Sequence, residues 1–129
     1  KENYNYQNIS AILASYGFAT IRLSDDWQTS DFIAQHIDGK TFLKVQLKAR
    51  VSFNQKYKGK DIYICGRSRG VWYLYPHDIV LKKLLSLRTT DPTGIKHFKN
   101  TYSWIKKGGY RWGKIPKRLE KYFTPYQLS

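Results

Sequence analysis

The sequence predicts an α/β fold, a mixed central β-sheet of about five strands flanked by helices, and three observations predict it. Apolar residues recur at helical spacing near the start, as Ile9, Ile12, Leu13 and Tyr16. Two runs of β-forming residues flank Asp38-Gly39, and two more flank Arg67-Ser68-Arg69-Gly70. A second helical pattern opens at Pro76. The order is therefore helix, three strands, loop, two strands, helix, with a basic C-terminal extension. At 129 residues the chain makes one domain, 1–129, with its core over about 4–87 and the extension over 88–129. A single core at this length buries about two thirds of the unfolded surface.

The first helix is expected from about Tyr6 to Tyr16. Gly17 stops it in the left-handed conformation, with Phe18 packing back on the last turn. Phe18 to Leu23 reads as the first strand. The loop from Ser24 to Ser30 carries Asp25 and Asp26, which form turns and solvate the loop or else serve as ligands near Gln46. Next comes a hairpin: Asp38-Gly39 suits the positive φ angles of a two-residue type I′ turn, so Ile37 faces Lys40 and Asp31 falls opposite Gln46. From Ala49 to Lys60 a flexible basic loop is expected, with Arg50, Lys56, Lys58 and Lys60 interleaved with Phe53 and Tyr57. Asp61 to Gly66 and Val71 to Tyr75 make the second strand pair, with a buried thiol at Cys65.

Pro76 suits the first turn of a helix running to about Leu87, with Asp78 near its positive end and Ile79, Val80, Leu84 and Leu85 as its buried stripe. His77 reads as a local hydrogen-bonding residue rather than a general base. Beyond Arg88 the pattern loosens, until Trp104, Lys106, Lys107, Tyr110, Arg111, Trp112 and Lys114 gather around Gly108-Gly109. These aromatics either stack on nucleic acid or pin a hairpin to the domain. Pro116 to Phe123 reads as a short basic helix.

Alternation along the hairpin sorts its side chains. Asp31, Ile33, Gln35 and Ile37 share a face with Lys40, Phe42, Lys44, Gln46 and Lys48, while Phe32, Ala34, Thr41, Leu43, Val45 and Leu47 take the apolar face. The first face brings an acid, an amide and a lysine within reach of one point. A carboxylate and an amide oxygen are hard ligands suited to Mg²⁺, and a lysine beside them can orient water and offset charge on a phosphate. Edge strands also carry Asp and Lys for solubility alone.

Asp31, fourteen intervening residues and then Gln46-Leu47-Lys48, set on a strand-turn-strand after a helix, resembles the active-site signature of the PD-(D/E)XK nuclease superfamily. Most members have an acid where this chain has Gln46; a minority, including some restriction endonucleases with an S-D…Q-x-K site, have Gln, and Ser30-Asp31 fits that variant. The resemblance covers roughly residues 4 to 87. It implies a restriction endonuclease-like core and a Mg²⁺-dependent DNA endonuclease, restriction-type or structure-selective, in which Mn²⁺ can replace Mg²⁺. Asp31, Gln46 and the Leu47 carbonyl would hold the metal, and Asp31, Gln46 and Lys48 would form the catalytic set. Cutting both strands of a duplex or junction implies a homodimer. Where the family places an acid on the first helix, this chain offers only Glu2, before the expected helix start. A neutral amide at position 46 also holds Mg²⁺ less tightly than a carboxylate would.

Charge points to the same partner. Lys and Arg number 23 against 9 acids, a formal net charge of +14, which favours a polyanion. Residues 1–39 carry two basic and five acidic side chains, 40–87 eleven and two, and 88–129 ten and two, so the acids gather before the candidate site and the bases beyond it. Arg50, Lys56, Lys58, Arg67, Arg69, Lys106, Lys107 and Arg111 are the expected contacts to DNA backbone. Two alternatives share this charge: a catalytically inactive nuclease-fold DNA-binding module, which Gln46 favours, and an RNA-binding or RNA-processing protein.

Other classes are excluded. Three histidines and one cysteine give no zinc spacing, and neither a Gly-rich phosphate loop nor a G-x-S-x-G elbow is present. A lone cysteine allows no intramolecular disulfide and fits a reducing, cytoplasmic setting. No apolar run reaches membrane-helix length and no signal pattern opens the chain, so no membrane partner is expected. The chain starts at Lys1 and holds no Met, so an initiator or short leader is expected to have been removed or left out.

Overall fold

A computed structural model describes residues 2–23, 30–86 and 102–129. Asp25, Asp26, the side chain of Glu2 and the connection over 87–101 lie outside the described residues. Helix α1 (Glu2–Ala14) starts earlier than its apolar spacing predicts and ends in a turn closed by Gly17 at φ +89°. Its Ile9 and Leu13 are fully buried, Ile12 is half-buried, and Tyr16 lies beyond the helix, exposed, with its hydroxyl accepting the Ser129 N–H at 2.8 Å.

The α/β expectation holds. β1 (Phe18–Arg22), β2 (Phe32–His36), β3 (Phe42–Leu47), β5 (Ile62–Ser68) and β6 (Val71–Pro76) form a five-stranded sheet in the order β1-β2-β3-β5-β6. Three neighbouring pairs are antiparallel and β3 runs parallel to β5, so the sheet is mixed. This arrangement is consistent with a restriction endonuclease-like core. The short β4 (Ser52–Asn54) stands apart and pairs with β7 (Gly109–Arg111).

The hairpin register is as expected, from Phe32↔Val45 to Gln35↔Phe42. Its turn is not. The ladder closes with His36 N–H donating to Thr41 O at 2.9 Å, and of the central pair only Gly39 has positive φ, +72°. Asp38 instead turns its carboxylate back onto the loop, accepting the N–H groups of Lys40 (2.8 Å) and Thr41 (2.9 Å) and the Thr41 hydroxyl (2.7 Å). Those bonds hold its carboxyl down at about 2. The two-residue turn with both φ positive occurs at Arg69 (+50°) and Gly70 (+76°), between the paired Ser68 and Val71.

Both faces of the sheet are covered, and β5 is accordingly apolar in both directions. On one face Ile9 and Leu13 of α1 pack with Phe32, Ala34, Val45, Cys65 and Trp72. On the other, Ile62, Ile64, Tyr73 and Tyr75 pack under Val80, Leu81 and Leu84 of α2 (His77–Leu85), together with Val51, Phe53, Tyr57, Trp104, Trp112, Ile115, Leu119 and Phe123. Burial pushes the Cys65 thiol up to about 12, an inert core thiol.

Three expectations need correction. The segment from Ala49 to Lys60 is not a solvated loop: Val51, Phe53 and Tyr57 are at most 2% exposed, and β4 runs into a 3-10 turn, Gln55–Tyr57. In α2, Ile79 is 65% exposed and Leu81 takes its place in the core, because the helix presents His77, Val80, Leu81 and Leu84 inward. Trp104 and Trp112, each 8% exposed, do pin the C-terminal part, but through helix α3 (Tyr102–Lys107) and β7 rather than a hairpin. Pro116 to Phe123 forms a 3-10 helix over Lys117–Tyr122, whose Leu119 is buried. The C-terminal residues are thus part of the core layer and not an appended tail.

Candidate active site and nucleic-acid groove

The main chain of β3 explains why Asp31 sits where it does. Lys48 N–H donates to Cys65 O at 2.8 Å, continuing the parallel ladder, so the N–H of Leu47, one residue earlier, points the other way, toward β2. β2 begins only at Phe32, and the Asp31 carboxylate takes that N–H instead, Oδ2 to Leu47 N at 2.8 Å. The Asp31 N–H in turn donates to Val45 O at 2.8 Å. Asp31 is therefore bonded to both neighbours of Gln46.

Val45 and Leu47 pack on the α1 side, so Gln46 and Lys48 project from the opposite face, where Gln46 is in register with Ile64 of the second core layer. Asp31, Gln46 and Lys48 are all half-buried. Beside them lies a groove of about 580 Å³, lined by Lys48, Arg50, Asn54, Tyr57, Lys107, Tyr110 and Arg111 among others. The ammonium groups of Lys48 and Lys56 stand 5.8 Å and 5.3 Å from the Tyr57 ring centroid. Lys58 reaches the Trp104 ring, 5.9 Å away, and Lys106 is exposed on α3.

The structure thus brings Lys48, Arg50, Lys107 and Arg111 together and sets Lys56 on the shared tyrosine. Arg67 and Arg69 are placed elsewhere. Arg67 lies 4.9 Å over the Trp72 ring, on the α1 side of the sheet. The Arg69 guanidinium donates to Ile115 O and to Glu120 Oε1, tying the β5–β6 turn to the C-terminal segment. The shared tip of that turn is therefore a structural clamp, which its two arginines did not reveal in the sequence.

Asn54 is a groove residue that sequence reasoning missed, while Tyr110, one of the aromatics singled out around Gly108-Gly109, also lines the groove. Asn54 caps the 3-10 turn by accepting Lys56 N–H (3.0 Å), and its own N–H donates to His77 Nε2 (3.1 Å). His77 is fully buried, and since Nε2 accepts, Nδ1 carries the proton and donates to Asp78 Oδ1 at 2.8 Å. Burial holds the imidazole below its ordinary pKa, so it is neutral and acts as a support for Asn54. The Tyr75 hydroxyl holds the adjoining Ser52 in the same way, donating to its O and accepting its N–H. A strand of three residues paired with another more than fifty positions away leaves no periodic signal, which is why β4 and its groove wall were hidden.

The donor chemistry would suit a hard divalent cation: the Asp31 carboxylate just before β2, and the Gln46 amide oxygen and Leu47 carbonyl at the end of β3, are all oxygen donors. Among the described residues no group of three or more His, Cys, Asp or Glu side chains gathers, so the set carries a single carboxylate of its own. Among those residues, too, no helix is long and apolar enough to cross a membrane.

No protein-family model matches the chain, and no curated protein matches it. Among solved structures, the chain is similar to a Holliday junction resolvase from the archaeal hyperthermophile Archaeoglobus fulgidus, at 18% identity and a TM-score of 0.43, over 54% of this chain and 74% of that one.

Proposed function

We propose that this protein is a metal-dependent endodeoxyribonuclease that hydrolyses backbone phosphodiester bonds. The observation that carries the reading is the double bonding of Asp31 around Gln46, next to a groove that holds Lys48, Arg50, Lys107 and Arg111. Asp31, Gln46 and the Leu47 carbonyl would hold Mg²⁺, or Mn²⁺ in its place. The cation, when bound, supplies Lewis-acid polarisation and a more acidic water. Lys48 orients an attacking water toward the phosphate and offsets the charge that develops there. Arg50, Lys56, Lys58, Lys106, Lys107 and Arg111 grip the backbone without reading sequence, so affinity is salt-dependent and separable from cleavage. Two copies, one per strand, account for cutting both strands of a branched substrate.

The test is cleavage of supercoiled plasmid and of a labelled four-way junction with Mg²⁺ or Mn²⁺, comparing wild type with Asp31→Ala and Lys48→Ala. Each substitution is expected to lower the rate by on the order of 10²-fold or more while leaving binding within a few-fold. Full cleavage by Lys48→Ala would overturn its role. Gln46 favours a second reading, a DNA-binding module on a nuclease fold, and metal-independent binding without any cleavage by wild type would establish it.

A further inference from the structure

We propose that the groove beside Lys48 receives an unpaired nucleotide, so that the substrate is single-stranded or branched DNA rather than intact duplex. The inference rests on the nuclease reading only for where the scissile phosphate lies.

Shape is the first argument. A duplex offers its phosphates on convex ridges and keeps its bases stacked inside, so it meets a basic surface without filling a concavity. The groove's volume of about 580 Å³ instead falls in the range of pockets that enclose a small ligand. A base turned out of its stack is a ligand of that kind.

The lining supports the same occupant. Its charged members, Lys48, Arg50, Lys107 and Arg111, are all cations and suit the backbone phosphates. Its uncharged members include Tyr110 for a base face and Asn54 for a base edge. Tyr110 stands edge-on to the buried Trp112, ring centroids 5.2 Å apart, which fixes its orientation. Asn54 is held from beneath by His77, and it lies so close to β7 that a Cβ on Gly109 would come within 2.7 Å of its Nδ2. These are rigid walls, prepared before a ligand arrives. Lys48 belongs both to this groove and to the Asp31–Gln46 edge, so the unpaired nucleotide adjoins the bond to be cut.

Fluorescence anisotropy with a metal chelator present, at one fixed salt concentration, tests the idea without requiring cleavage. The probes are one labelled DNA strand alone, the same strand fully paired, the same strand carrying an unpaired flap on a duplex, and an RNA strand of the same sequence. Wild type is expected to bind the single strand and the flap at least about 10-fold tighter than the duplex. Tyr110→Ala should weaken unpaired DNA roughly 10-fold and duplex under about 2-fold, whereas Tyr110→Phe, which keeps the ring and its packing, should retain the preference. Arg111→Ala should weaken all DNA probes alike. Equal wild-type affinity for paired and unpaired DNA, equal losses on both in Tyr110→Ala, or tighter binding of RNA than of DNA overturns the proposal. Absence of junction cleavage by wild type would count against the nuclease reading alone, and loss of the strand preference against the groove alone.

Discussion

In the proposed metal site, an amide in place of an acid at position 46 leaves Asp31 as the one carboxylate ligand. Adding charge to the ligand set tightens divalent binding, so Gln46→Glu is expected to lower the Mg²⁺ concentration giving half-maximal cleavage by on the order of 10-fold. A titration of rate against Mg²⁺ checks this, and an unchanged half-saturation would remove Gln46 from the ligand set. His77 sets a different dependence. Because burial depresses its pKa in the folded chain below the ordinary 6.5, stability is whole above about pH 6.5, where both states are neutral. Below that only the unfolded chain takes up the proton, and stability falls until the folded pKa is reached. Denaturant midpoints from pH 8 to pH 5 should therefore decline in wild type and decline less in His77→Gln. At this scale the sequence was readable where a residue's place follows from strand register, as for Asp31 beside Gln46. It was unreadable where the role depends on a distant partner, as for Asn54 on His77 or Arg69 on Glu120.

Among the elements, the first hairpin was legible because alternation and the Asp38-Gly39 signal fix the same register. The turn type was not, since the Asp38 side chain satisfies the loop's own N–H groups and relieves Asp38 of positive φ. The stretch after β3 was misread because its four cations, Arg50, Lys56, Lys58 and Lys60, outnumber its three core residues, although Val51, Phe53 and Tyr57 hold it down. Gly66 shows how tightly. A Cβ there would meet Arg50 O at 2.7 Å and the Val51 Cα at 2.9 Å, main-chain atoms that cannot swing aside. Gly66→Ala is expected to cost about 1–3 kcal/mol by overpacking, measured by urea unfolding. It should also shift Arg50 and weaken DNA binding, and a neutral substitution would mean that this crossing is looser than it is drawn.

For the molecule as a whole, the second core layer closes only with residues from the C-terminal part: Trp104, Trp112, Ile115, Leu119 and Phe123 pack with Phe53, Tyr75 and α2. Truncating one large core side chain costs roughly 3–5 kcal/mol, against a total stability of about 5–15 kcal/mol. A chain ending at Ser86 is therefore expected to lack a cooperative unfolding transition, checked by circular dichroism and thermal melting; a two-state melt would show that the sheet and two helices suffice. The basic composition of this region drew attention to binding and away from packing, although Trp112 lies in the core and Tyr110, packed against that core, lines the groove.

The pairing of β4 with β7 also sets a clock on biosynthesis. Ser52 waits for Arg111, and Phe53 for Phe123, so the nascent chain leaving the ribosome carries an open apolar layer until those late residues emerge. Closure must await translation of those residues and proceeds through contacts far apart along the chain, which makes it slow and gives chaperones an interval in which to bind.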